Sequence, residues 1–144
     1  MNATMEKFGW PASRVADLEH WVVALRPAQP TAGSLVVICR EPATAFGQLS
    51  AGAFAELADV TRRVEALLKA ETGYERINWL LLMMVDPDVH FHVLPRYDGS
   101  RSIAGHTLED AGWPGPPRLD TGVTLAPGEI EETAARLARE WDTQ

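Results

Sequence analysis

The chain has 144 residues, 46% of them hydrophobic, and a formal charge of −7. This suits one domain spanning residues 1–144 and excludes a disordered chain. The acidic balance opposes non-specific binding to long nucleic acid, although a local basic spot can still hold a small phosphorylated ligand. No run approaches the ~18 apolar residues of a membrane span, so no membrane partner is expected. The start, Met1-Asn2-Ala3-Thr4-Met5-Glu6-Lys7, has no basic region leading into an apolar one. A secretory signal is therefore not expected. The one cysteine, Cys39, excludes an internal disulfide. A cytoplasmic location is the expectation.

Residues 14–20 read as a short helix or turn. Residues 21–26 read as a strand with Trp21, Val23 and Leu25 on one face. Pro27, Pro30 and Gly33 break it. Residues 34–40 form a second strand, apolar without interruption from Leu35 to Cys39. Ser50 caps a helix running to about Ala70, with Phe54, Leu57, Thr61, Val64 and Leu68 as its core stripe. Gly73 ends that unit. Residues 76–85 are the strongest strand. They are apolar on both faces, which predicts a place inside the sheet with cover on each side. Asp86-Pro87 is a tight turn to an antiparallel neighbour.

That neighbour is Asp88-Val89-His90-Phe91-His92-Val93-Leu94-Pro95-Arg96-Tyr97. The strand period of two puts Asp88, His90, His92, Leu94 and Arg96 on one face. Residues 98–126 read as a Gly- and Pro-rich loop or flap without sheet strands. Pro127 opens a last helix over 127–141, with Ile130, Ala134, Leu137 and Trp141 as its stripe. The core spans 20–97. The fold class is α+β: a mostly antiparallel sheet of four to five strands, a crossing helix and a C-terminal helix.

Imidazoles two residues apart on a strand lie about 6–7 Å apart at the backbone. One can attack a reacting centre while the next reaches the leaving group. Three bland alternatives stand beside this. The pair can be incidental polar residues on a half-buried strand. Asp88 can simply terminate a turn. Asp88, His90 and His92 can hold a metal ion, although one flat strand converges poorly on a single ion. His20 and His106 have no partner pattern.

The segment resembles the histidine triad superfamily, whose motif is His-φ-His-φ-His-φ-φ, often followed by Pro-Arg. The similarity covers about residues 21–97 and points to the diadenosine polyphosphate hydrolase branch. It implies a nucleotide hydrolase or nucleotidyltransferase cleaving at the α-phosphate of dinucleoside polyphosphates or nucleoside phosphoramidates. His90 matches the family nucleophile and His92 the histidine on the leaving-group side. The family also implies a homodimer and no cofactor. This chain departs from the pattern: the first triad histidine is Asp88, a further histidine is Ser34, and an asparagine near the ribose is Arg26. The usual Gln-containing loop before the triad is replaced by Asp86-Pro87. The candidate catalytic residues are His90, His92 and Asp88, with Asp88 tuning an imidazole. Arg26, Ser34 and Arg96 are the candidate phosphate contacts. A non-catalytic nucleotide-binding or scaffold protein of the same fold is the alternative.

Overall fold

Strands that are apolar at every position need cover on both sheet faces. The computed structural model describes residues 1–144 and supplies that cover. In chain order the elements are α1 (Ala3–Lys7), β1 (Arg14–Asp17), β2 (Trp21–Leu25), β3 (Ala28–Gln29), β4 (Leu35–Cys39), α2 (Ala51–Thr72), β5 (Arg76–Leu80), β6 (His90–Arg96), β7 (Ser100–Ile103), β8 (His106–Glu109), β9 (Val123–Thr124) and α3 (Pro127–Asp142). A five-stranded sheet runs β1-β2-β4-β6-β5. Every pairing in it is antiparallel. This is the α+β architecture that the residue pattern predicts.

The alternation along each strand sorts side chains into two layers. Trp21, Val23, Leu25, Leu35, Val37, Cys39 and Val93 join the large core with α2 and α3. Val22, Val36 and Ile38 face the other way and pack with Met5 and Phe8. The register pairs Ile38 with His90 and Val36 with His92. The imidazoles therefore lie on the α1 side of the sheet. Phe91 points to the opposite side and meets Trp21, Phe46 and Trp79 at ring-centre distances of 5.7–6.0 Å.

Several expectations need correction. Residues 14–17 are a strand, not a helix or turn, and they pair with β2 through an irregularity between Arg14 and Ala16. Residues 76–85 do not form one interior strand. β5 stops at Leu80 and lies at the sheet edge. The apolar residues that follow form part of a loop, where Met84 is 85% and Val85 83% exposed. The stretch 98–126 is not strand-free: β7 and β8 make a hairpin and β9 pairs with β3. Strands of two to four residues, largely polar in β7 and β8, are too short to show the apolar alternation that marks a strand in sequence.

Helix α2 does start at Ser50, whose side chain accepts from the Ala53 N–H at 3.1 Å. Gly73 ends it with a φ of 59°, a backbone state glycine adopts without strain. Its buried face is rotated from the expected stripe. Ala53, Val60, Val64, Leu67 and Leu68 are buried, whereas Phe54 is 40% exposed. Close approach of the helix to the sheet decides this: the Trp21 indole donates to the Ala53 carbonyl at 2.8 Å.

The loops after β6 are tied down by a buried ion pair. Arg96 donates to both carboxylate oxygens of Asp110, at 2.7 and 3.1 Å, to Asn78 at 2.8 Å and to the Gly115 carbonyl at 2.9 Å. Removing one partner of such a pair strands a buried charge, which costs about 3–5 kcal/mol. Asp110→Ala should lower the free energy of urea unfolding by that amount. A loss under about 1 kcal/mol, the range of an exposed pair, would mean that Arg96 is solvated rather than sequestered.

Candidate active site

Strand β6 carries both imidazoles, and the backbone just before it orients the first. The His90 Nδ1 lies 2.6 Å from the Asp88 carbonyl oxygen. A carbonyl oxygen can only accept, so Nδ1 carries the hydrogen and Nε2 keeps its lone pair. His92 has the reverse arrangement. Arg26 Nε donates to His92 Nδ1 at 3.3 Å, which leaves the His92 hydrogen on Nε2. One ring thus offers a lone pair and the next an N–H. Their centres are 5.1 Å apart and the rings are nearly perpendicular.

Both rings open onto a cleft of about 230 Å³ lined by Lys7, Phe8, Arg26, Leu119 and residues 82–86. Phe8 packs against both, with ring centres 6.1 Å from His90 and 5.8 Å from His92. Met83 in the cleft loop holds a φ of 54°. Such a backbone state costs a non-glycine residue about 1–3 kcal/mol and is common at functional sites. The protonation of His92 is set by its surroundings. Burial, the Arg26 charge and then His90 push its pKa from 6.5 down to about 4. At neutral pH His92 is therefore an uncharged hydrogen-bond donor.

Of the residues singled out in the sequence, the fold brings His90, His92 and Arg26 together. Asp88 lies just before β6, and its carboxylate is turned to α1. It accepts from the Thr4 N–H at 3.2 Å and the Thr4 hydroxyl at 2.9 Å. The Asp88 carbonyl, not its carboxylate, orients His90, and His92 is shifted down rather than up. Ser34 is fully buried, and its hydroxyl donates to the Thr31 carbonyl at 2.7 Å, so it serves the turn rather than a phosphate. Arg96 is committed to Asp110, Asn78 and Gly115 and is 4% exposed. The metal arrangement does not fit either. The Asp88 carboxylate is engaged with Thr4, and a guanidinium occupies His92 Nδ1, where a cation would be repelled. His106, which has no evident partner in sequence, bonds Glu129 at 2.7 Å.

Sequence reasoning misses Lys7, Phe8 and the cleft-lining role of residues 82–86. Lys7 and Phe8 precede His90 by more than 80 residues, and no spacing rule spans that gap. The local signal was Asn2, which caps α1 by accepting from the Met5 N–H at 2.9 Å.

No protein-family model matches the sequence, and no curated protein matches it. Solved structures do match. A histidine triad protein from Sinorhizobium meliloti aligns with a TM-score of 0.73 at 24% identity, over 96% of this chain and 94% of that one. One from Bradyrhizobium japonicum gives 0.72 at 20%, over 96% and 95%. A hypothetical histidine triad nucleotide-binding protein from Sulfolobus tokodaii gives 0.66 at 17%, over 91% and 84%. At these identities the likeness is one of fold, and the chain has the histidine triad fold.

The His92 environment has a consequence for stability. Unfolded, its imidazole protonates near 6.5; folded, it protonates near 4. Between those values the unfolded chain binds more protons. Its contribution is therefore complete above about pH 6.5 and declines as pH falls toward 4. His92→Asn should flatten the fall in urea midpoint across that window. A slope equal to that of the unaltered protein would rule out a depressed His92.

Proposed function

We propose that the chain is a nucleotide hydrolase or nucleotidyltransferase acting at an α-phosphate through His90. The observation that carries the reading is the fixed His90 tautomer. Its Nδ1–H is held by the Asp88 carbonyl, and the Nε2 lone pair remains for attack. Support also comes from the fold shared with histidine triad proteins, of which the Sulfolobus tokodaii structure is described as nucleotide-binding.

In the proposed step, Nε2 attacks the α-phosphorus. A P–N bond to His90 forms while the bond to the leaving group breaks; the electron pair goes to the leaving oxygen of a polyphosphate, or to the leaving nitrogen of a phosphoramidate, which also takes a proton. Water then attacks the same phosphorus, the P–N bond breaks, and a proton is released as the nucleoside monophosphate departs. Arg26 neutralises the phosphate oxygens beside His92. His92 offers its Nε2–H to the leaving side as a hydrogen bond. Because His92 resists protonation, it is a poor source of a full proton at neutral pH. An anionic phosphate can leave without one, whereas an amine cannot. Dinucleoside polyphosphates are therefore favoured over phosphoramidates. An anion in the cleft also raises the His92 pKa, so phosphoramidate turnover should gain more from acidification.

We read the chain as working in pairs. β5 is an edge strand with unpaired backbone groups, and exposed Leu82, Met84 and Val85 follow it. An apolar segment beside an open edge suits a second copy.

Diadenosine tetraphosphate and adenosine 5'-phosphoramidate should both release AMP at pH 7.5, the first faster. His90→Asn should reduce release by about a thousandfold or more. Saturable nucleotide binding without release would leave a binding module; neither binding nor release would leave a scaffold. In light scattering, the unaltered chain should have twice its 15.8 kDa mass. A Met84→Asp, Val85→Asp double variant should have the single mass. A monomeric unaltered chain would refute the pairing.

A further inference from the structure

We propose that Lys7 binds the phosphate next to the one His90 attacks, so that this site selects nucleotides carrying at least two phosphates. The inference rests on the nucleotide reading above and goes further, naming a residue and a substrate feature.

The charged and titratable groups lining the cleft are Lys7, Arg26, Asp86, His90 and His92. Arg26 reaches in from the end of β2 and bonds His92 directly, so its charge is tied to the imidazole pair. Lys7 reaches in from α1. It has no hydrogen bond to either imidazole. Its ammonium instead sits 3.0 Å from the Asp86 carboxylate, in the loop that lines the cleft. Its charge therefore lies in the same cleft, one step removed from the imidazole that Arg26 contacts directly, where the next phosphate of a bound nucleotide would fall.

The position of Lys7 is built rather than incidental. Its helix is held at several points. Asn2 donates to the Cys39 carbonyl at 2.9 Å, Asp88 accepts twice from Thr4, and Met5 and Phe8 are buried against the sheet. Asp88, at the first triad position, is thereby a positioning residue for the helix that delivers Lys7. The ammonium lies 5.8 Å from the Phe8 ring centre, and Phe8 rests on both imidazoles. The Lys7 side chain is still 49% exposed. An ammonium has three N–H donors, and Asp86 does not exhaust them. With Asp86 as a fixed counter-charge, Lys7 can bridge that carboxylate and a phosphate oxygen. Lys7, Arg26 and Asp86 together leave a net positive charge at the cleft, which suits an anionic leaving group.

The test is calorimetric titration of the full chain with ADP and with AMP, for the unaltered protein, Lys7→Met and Lys7→Arg. Thermal melts would confirm that each is folded. The unaltered chain should bind ADP about tenfold tighter than AMP, the value of one charge-assisted hydrogen bond. Lys7→Met should reduce that ratio to about twofold or less while leaving AMP affinity in place, and Lys7→Arg should restore it. A ratio unchanged in Lys7→Met, or no ADP preference in the unaltered chain, overturns the proposal. The result separates it from the catalytic reading. A Lys7-dependent ratio without AMP release keeps Lys7 and discards turnover. His90-dependent release with a Lys7-independent ratio does the reverse. Binding of neither nucleotide discards both.

Discussion

The site depends on the alternation of β6. The strand is held between β4 and β5, so its two faces have fixed and different fates. Phe91 and Val93 enter the core with α2 and α3, while His90 and His92 are delivered to the α1 side. A one-residue slip in register would exchange the faces and bury two imidazoles among Trp21, Phe46 and Trp79. The aromatic contacts of Phe91 oppose that slip.

Once the face is set, neighbouring groups differentiate two chemically identical side chains. A carbonyl oxygen on Nδ1 leaves His90 with a lone pair on Nε2, and a guanidinium on Nδ1 leaves His92 with an N–H on Nε2. The same guanidinium, together with burial, holds the His92 pKa near 4. The pair is thus polarised before a substrate arrives.

Polar residues around the two imidazoles read differently once the fold is known. Asp88 ties down α1 through Thr4. Ser34 closes a turn with Thr31. Arg96 anchors the segment that follows β6 through Asp110 and Gly115. One face of β6 carries the two imidazoles, and the surrounding polar positions hold the N-terminal helix and the late loops in place.

Much of this was legible in the sequence. The period of two around His90 and His92, the unbroken apolar run Leu35 to Cys39 and the Ser50 cap are local signals, and local sterics decide them. Other features depended on what lies across the molecule. Nothing within residues 76–85 says that an apolar run will lie at an edge and then become a cleft lip. The rotation of α2 was set by its approach to Trp21, and the strand at residues 14–17 by pairing with β2. The fate of the polar side chains was the least readable. An arginine in sequence is equally suited to a phosphate or a carboxylate, and only the arrival of Asp110 beside Arg96 committed that side chain to a carboxylate, while Arg26 met His92 instead. The sequence by itself determined which groups β6 could present, because backbone periodicity is local. The tertiary structure decided which groups met them, because those partners come from positions far apart in the chain.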